Sequence, residues 1–425
     1  MADFHANAQL VKGSPPWARR IAYNVQIRAI QATLTTIDWL GWFSRTSANA
    51  PNIVKTYNLR GHLPVRYVVS TNSRRLGFEF PFPRSVCISK SFPSGSRADQ
   101  RCSIFLPASY EAGSSKPLPT LFTIHGGGFC IGSSQDDDAW NRSFSDTHSV
   151  LVIALNYSKA PAAPFPTGLD DLVSLYHAAL DDESLPIDKA NGGLVAICGF
   201  SAGGNLSLGL SQRLLQSDHC TCYPRAAISV YGALDLSRSP EAKISTRQYK
   251  TDASLGSPRT SARDLLLDMA PLFDWSYLPL GQDLRDPLVS PGPCADADDL
   301  PPHVFIIASE LDMLAKESLE CATRLARARG GSGISDADSE IACCGRSEPG
   351  KPGELELEDR RFAWQETFPD GSVRWLLVPD VLHGFDSLPM RERVGDKETM
   401  KDAELKTEAY CKLLGDWLLN TVFDA

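Results

Sequence analysis

No block of lysine and arginine occurs anywhere in the 425 residues, and 42 basic side chains stand against 51 acidic ones, a formal net charge of −9. An acidic chain without a basic cluster lacks the footprint of a nucleic-acid partner. Metal-ligand spacing is missing as well. The eleven cysteines are scattered, and neither Cys220-x-Cys222 nor the adjacent Cys343-Cys344 forms a zinc pattern, so reduced and mostly buried thiols are expected. Met1 to Pro16 holds no basic-then-apolar leader, and the expected location is cytoplasmic and reducing. An unbroken apolar run of bilayer length, about 18 residues or more, is absent too. Trp17 to Phe43 comes nearest, but Arg19, Arg20, Arg28 and Asp38 interrupt it. Ile21, Val25, Ile30, Leu34, Ile37 and Leu40 recur there at helical spacing, which predicts an amphipathic helix that caps the body of the protein, with an interfacial membrane helix as the less favoured alternative.

What the chain does contain is ordinary globular material, 43% apolar and 22% charged, long enough for one large α/β domain with insertions. Periodicity fades between Asn49 and Arg75. Val86, Ile88 and then Cys102 to Leu106 predict a hairpin across the polar turn Pro93 to Gln100. Thereafter short apolar runs alternate with helical patterns. Strands are expected at Thr120–Ile124, Val150–Leu155, Leu194–Cys198, Ala226–Tyr231, Val304–Ala308 and Val373–Val378. Helices are expected at Asp136–His148, Thr167–Leu180, from Asn205, at Ala262–Leu272, Leu314–Arg329 and Glu398–Phe423. The alternation predicts an α/β fold with a mostly parallel central sheet covered by helices on both faces. Ser237 to Leu284 interrupts it as an insertion over the carboxyl edge of the sheet. Gly330 to about Asp370, rich in Gly, Ser, Asp and Glu, reads as a low-complexity, partly disordered surface insertion.

Chemistry concentrates at Gly199-Phe200-Ser201-Ala202-Gly203, between an apolar strand and a helical pattern. Glycines on either side of a serine suit a sharp strand-to-helix turn that exposes the hydroxyl. Serine needs a base to become a nucleophile, and the base needs an orienting carboxylate. His383 lies just beyond the last strand and Asp312 just beyond the preceding one, giving the chain order Ser, Asp, His. His125-Gly126-Gly127-Gly128 follows a buried strand directly. Backbone N–H groups of Gly127, Gly128 and Ala202 are the candidates for stabilising an oxyanion, with His125 shaping the loop.

These motifs together resemble the hormone-sensitive-lipase-like group of α/β-hydrolase carboxylesterases, over about Ser85 to Phe385. Asn156-Tyr157, Pro164-Phe165-Pro166, Asp286-Pro287-Leu288-Val289-Ser290-Pro291 and His383-Gly384-Phe385 belong to the shared set. The resemblance implies an α/β-hydrolase fold with a helical cap; residues 1–84 read as the N-terminal helical cap segment, and the hydrolase domain at 85–425 carries the cap insertion 237–284 and the surface insertion 330–370, the latter unusual for the family. It also implies cleavage of a small-molecule carboxylic ester through an acyl-enzyme, without cofactor or metal. Ser201 would be the nucleophile, His383 the base and Asp312 its orienting acid, supported by Gly199 and Gly203. An acyltransferase using the same triad, or a ligand-binding protein on a retired hydrolase scaffold, are the alternatives. Three departures stand out. Phe200 occupies a position usually Asp or Thr, an expected influence on the pocket beside the serine. Ser158-Lys159-Ala160-Pro161-Ala162 stands where Arg-Leu-Ala-Pro-Glu is usual. Asp312 is followed by Met313 to Glu317, without the usual Pro and second Asp. With its long insertion, the chain is similar to the dedicated hydrolases of fungal secondary-metabolite pathways.

Overall fold

The computed structural model describes residues 12–13, 15–47, 56–58, 64–67, 86–94, 97–111, 114, 116–218, 220–264, 266–333, 345–346, 348–387 and 396–424, with the backbone alone for several stretches, among them 37–47 and 86–94. One eleven-stranded sheet organises them, in the order β1-β2-β3-β4-β6-β5-β7-β8-β9-β11-β10. Its strands are β1 (Thr56–Asn58), β2 (Pro64–Tyr67), β3 (Val86–Ser94), β4 (Arg97–Leu106), β5 (Thr120–Ile124), β6 (Leu151–Leu155), β7 (Val195–Phe200), β8 (Ala226–Val230), β9 (His303–Ser309), β10 (Ala363–Phe368) and β11 (Gly371–Val378). From β6 through β11 each neighbouring pair is parallel, while the β1 to β4 edge and β10 are antiparallel. Every residue of β5, β6, β7 and β8 is buried. Strands covered on both faces have no polar side to show, which is why they read as continuous apolar runs.

The helices are α1 (Trp17–Ser47), α2 (Asp138–His148), α3 (Thr167–Asp181), α4 (Ala202–Leu215), the short α5 (Pro240–Ile244), α6 (Ser257–Thr260), α7 (Ala270–Tyr277) and α8 (Pro291–Cys294), then α9 (Ala315–Ala328) and α10 (Lys397–Trp417). On one face of the sheet, Ile124, Leu155 and Ile197 meet Leu169 and Leu172 of α3 and Leu206 and Leu210 of α4. On the other, Leu121, Val152, Cys198 and Ile228 meet Phe144 of α2 and Tyr410, Leu414 and Trp417 of α10.

Several sequence expectations shift. The helix expected at Ala262–Leu272 is found at Ala270–Tyr277, with Pro271 in its first turn. Proline has no N–H to donate and clashes with the preceding turn, so it opens this helix and could not have lain inside it. Part of the insertion read as a solvated excursion is an ordered edge strand: β10 pairs along its whole length with β11 and buries Trp364. Its polar Gln365, Glu366 and Thr367 disguise it. The turn expected at Pro93 to Gln100 is tighter, since the ladder continues to the pair Ser94 and Arg97. Within 1–84, β1 and β2 extend the sheet, so that segment is not helical throughout; residues 1–11, 14, 48–55, 59–63 and 68–84 of it lie outside the described set. On α1 the face turned inward runs through Tyr23, Ile27 and Ile30, with Ile27 fully buried, whereas Trp17, Ile21 and Val25 are exposed. Tyr23 meets Trp275 of α7 at 5.6 Å between ring centres, and Gln31 Nε2 donates to the carbonyls of Cys130 at 2.8 Å and Ala160 at 2.9 Å. Among the described residues no helix is long and apolar enough to cross a membrane.

Candidate active site

Ser201 sits between the end of β7 and the first residue of α4 with φ +54° and ψ −116°. A side chain rarely tolerates that region, so the surroundings must impose it. The flanking glycines show how closely they do. A Cβ on Gly199 would lie 1.9 Å from the Gly203 carbonyl oxygen, and one on Gly203 would lie 2.0 Å from that of Ile124. Only glycine permits this approach, which binds the elbow to β5.

His383 and Asp312 arrive from the loops after β11 and β9. His383 Nε2 lies 2.9 Å from Ser201 Oγ, and its Nδ1 lies 2.7 Å from Asp312 Oδ2. The other oxygen of Asp312 accepts the Leu314 N–H at 3.0 Å. The structure thus brings together three side chains widely separated in sequence, in one hydrogen-bonded row with its acid and base buried. Burial of His383 opposes its protonation, but the Asp312 charge and hydrogen bond outweigh this, and its pKa is raised. Tyr231 places its ring edge-on to the imidazole at 4.8 Å. Its hydroxyl and that of Tyr410 both bond to the Asp386 carboxylate, and Trp140 Nε1 donates to Tyr410 Oη at 2.6 Å.

The glycine loop lies against the serine. A Cβ on Gly126 would be 3.2 Å from Ser201 Cβ. Gly127 and Gly128 follow with φ of +104° and +56°. Ala202 opens α4, so its N–H has no acceptor within the helix. The Phe273 ring of α7 rests on Gly128, since a Cβ there would come within 2.2 Å of it. The 237–284 insertion therefore reaches the loop beside the serine. His125 points away from the serine row, its Nδ1 2.7 Å from the Gly126 carbonyl oxygen.

Phe200 departs from expectation. Its ring is buried beneath the elbow, 5.0 Å from Trp140 and 6.3 Å from Tyr231, in the apolar layer against α2 and α10. Successive side chains of a strand face opposite ways, so the residue before an exposed serine points into the core. It packs under the site instead of shaping a pocket beside it.

The acid and histidine loops rest on charges that sequence reasoning missed. Lys250 Nζ donates to Glu310 Oε2 at 2.9 Å and Asp380 Oδ1 at 2.6 Å, all three fully or almost fully buried. Lys406 and Arg259 share Asp402 at 2.9 and 2.8 Å, and Lys406 lies 3.7 Å from Asp380. Arg247 pairs with Asp264 at 3.0 Å, and Asp264 accepts the Met313 N–H at 2.9 Å. The later insertion completes the cluster: Arg346 N–H bonds to Glu310, Gly350 N–H to Asp380 and Gly353 N–H to Asp402, at 2.9, 2.8 and 2.6 Å. Glu310 and Asp380 stand two and three residues ahead of Asp312 and His383, but nothing linear couples them to Lys250.

Comparison with known proteins agrees with this architecture. A family model described as alpha/beta hydrolase fold matches residues 121–338, just over half of the chain. An acetyl-hydrolase of Streptomyces hygroscopicus is 33% identical over 193 residues, 45% of this chain and 56% of that protein. An arylacetamide deacetylase of Bos taurus is 29% identical over 180 residues, 37% of this chain and 45% of that protein. The chain thus spans about half the length of these curated relatives. Among solved structures, an alpha/beta hydrolase enzyme from the metagenome of Lake Arreo, Spain, superposes with a TM-score of 0.51 at 25% identity, covering 76% of this chain and 82% of that one. The chain belongs to the alpha/beta hydrolase fold family, in its hormone-sensitive-lipase-like group.

Proposed function

We propose that the protein is a serine hydrolase that cleaves carboxylic esters of small or medium, largely apolar molecules through an acyl-enzyme. The observation that carries this reading is the row Ser201 Oγ, His383 and Asp312 at 2.9 and 2.7 Å. In the first half-reaction Ser201 Oγ attacks the ester carbonyl carbon while His383 Nε2 takes its proton. Asp312 holds Nδ1–H and stabilises the imidazolium. The N–H groups of Gly127, Gly128 and Ala202 receive the developing oxyanion, each such donor being worth about 2.7–4 kcal/mol in related chemistry. His383 then protonates the leaving alkoxide. Water, deprotonated by the same imidazole, attacks the acyl-serine, and return of the proton to Oγ frees the acid.

Relatives named acetyl-hydrolase and arylacetamide deacetylase support a small acyl group. Helix α1 and the 237–284 insertion, which meet over the glycine loop, serve in this reading as the cap that excludes water and selects the ester. A reducing compartment, the cytoplasm, belongs to this reading as well, in keeping with the buried free thiols of Cys102 and Cys130. Exposure to a fluorophosphonate followed by peptide mass spectrometry tests the proposal. One adduct on Ser201 is expected, and an unmodified Ser201 overturns it.

A further inference from the structure

Lys159 stands where the resemblance noted above implies leucine, and its Nζ lies against His125 rather than in the serine row. Its Nζ is surrounded by three acceptors. Asn156 Oδ1 is at 2.9 Å, His125 Nε2 is at 3.0 Å, and the Tyr157 carbonyl oxygen completes the set. The ammonium also lies 3.7 Å from the centre of the Tyr157 ring, on which His125 stacks at 4.5 Å. An ammonium has three hydrogens to donate and cannot accept, so a donor to Nε2 requires a lone pair on that nitrogen, whereas Asn156 Oδ1, 3.3 Å from Nε2, is the acceptor that an Nε2–H would use instead.

The opposite nitrogen leads to the same tautomer. His125 Nδ1 is 2.7 Å from the Gly126 carbonyl oxygen, which can only accept, so Nδ1 bears the hydrogen. The ring stays neutral, because burial and then the charge of Lys159 hold its pKa well below the ordinary imidazole range. Burial likewise lowers Lys159 to about 7 against the opposing charges of Asp136 and Asp171; a neutral amine has a lone pair that can accept from an Nε2–H, so it is the charged form that enforces the tautomer. Tyr157 Oη adds a second donor to the Gly126 oxygen at 3.3 Å.

That oxygen is one end of the planar peptide whose other end is the Gly127 N–H. Because C=O and N–H point oppositely across a trans peptide, fixing the oxygen on the Lys159 side aims the N–H to the other side. We propose that Lys159 is a positioning residue, which by donating to His125 Nε2 fixes the Nδ1–H tautomer and so holds the Gly126–Gly127 peptide with its N–H directed at the oxyanion. The inference rests on the ester-hydrolase reading above for the identity of the oxyanion, but not for the tautomer.

Two variants separate the possibilities. Lys159→Met keeps the length and removes the donor, whereas Lys159→Gln retains an amide N–H. Side-chain nitrogen NMR of His125 is expected to show the Nδ1–H form in the parent protein and in Lys159→Gln, and a shift toward Nε2–H in Lys159→Met. With a p-nitrophenyl ester, Lys159→Met should lose about 10- to 100-fold in kcat with KM within about threefold, a fraction of the loss seen when a donor is deleted outright. Affinity for a trifluoromethyl ketone, whose adduct carries the oxyanion, should fall by a similar factor, and Lys159→Gln should recover most of both. An Nε2–H tautomer in the parent overturns the proposal even if Lys159→Met does not fold. So does a Lys159→Met enzyme within about twofold of the parent in kcat. Failure of the parent to take a fluorophosphonate on Ser201 refutes the ester-hydrolase reading, while the tautomer comparison still decides the link from Lys159 to His125.

Discussion

The two sides of the candidate site are held by different forces. Ser201 rests on backbone and hydrocarbon: glycines pressed against β5, the Phe200 ring below, and Trp140 and Tyr231 around that ring. Asp312 and His383 rest on loops tied down by buried ions, with Lys250, Arg259 and Lys406 set against Glu310, Asp380 and Asp402. Close packing fixes a turn at the end of a central strand, where neighbours surround it on every side. The acid and histidine loops leave the carboxyl edge of the sheet, where no strand encloses them. There, directional ion pairs supply the constraint that packing cannot.

The comparison breaks or sharpens under substitution. Ser201→Ala should remove about 10⁶-fold in kcat while leaving the apolar side intact, read from ester hydrolysis with unchanged thermal unfolding. Asp312→Asn keeps the shape of the ionic side but favours the wrong imidazole tautomer, and a loss of about 10⁴-fold in kcat at neutral pH is expected. Lys250→Met leaves Glu310 and Asp380 without their shared cation. Breaking a buried pair from one end costs about 3–5 kcal/mol, to be measured by urea denaturation, and kcat should fall along with stability because both loops loosen. A neutral result would show that the ions are incidental to the site. Phe200→Leu, by contrast, should cost only about 1 kcal/mol and leave the ester profile unaltered, since the ring lies beneath the serine. A changed profile would return Phe200 to the pocket.

The smallest expected effect concerns pH. In the proposed mechanism His383 must be neutral to accept the Ser201 proton, and its pKa is raised because the Asp312 interaction exceeds the opposing effect of burial. Activity should therefore be present at high pH and lost as pH falls through a value above the ordinary imidazole pKa of about 6.5. An acid limb of kcat/KM below that point would contradict the assigned environment.

The sequence displayed one side of this comparison better than the other. Buried parallel strands are apolar on both faces, so Thr120–Ile124 and Leu151–Leu155 stand out as runs, and the elbow glycines sit at fixed offsets from the serine. Asp312 and His383 were legible from their order beyond strand ends. Their supports were not. Lys250 and Glu310 lie far apart in the chain, and a lysine destined for full burial looks no different from a solvated one. Strand β10 escaped notice because an edge strand shows water one polar face, which over six residues resembles a charged loop. Pro271, a visible helix opener, should have moved the cap helix.

The ionic cluster also ties the histidine loop to three distant parts of the chain. Lys250 comes from the 237–284 segment, Gly350 from the 330–370 segment, and Asp402 and Lys406 from α10. The serine elbow can be assembled as soon as β5, β7 and β8 have paired. The histidine loop takes part of its support from α10, through Lys406 beside Asp380. On the proposed function, a chain lacking this helix would present the serine elbow with its histidine loop short of support, and ester hydrolysis would depend on the docking of α10. Recovery of activity during refolding would then serve as a clock for the last step of folding, lagging behind formation of the sheet.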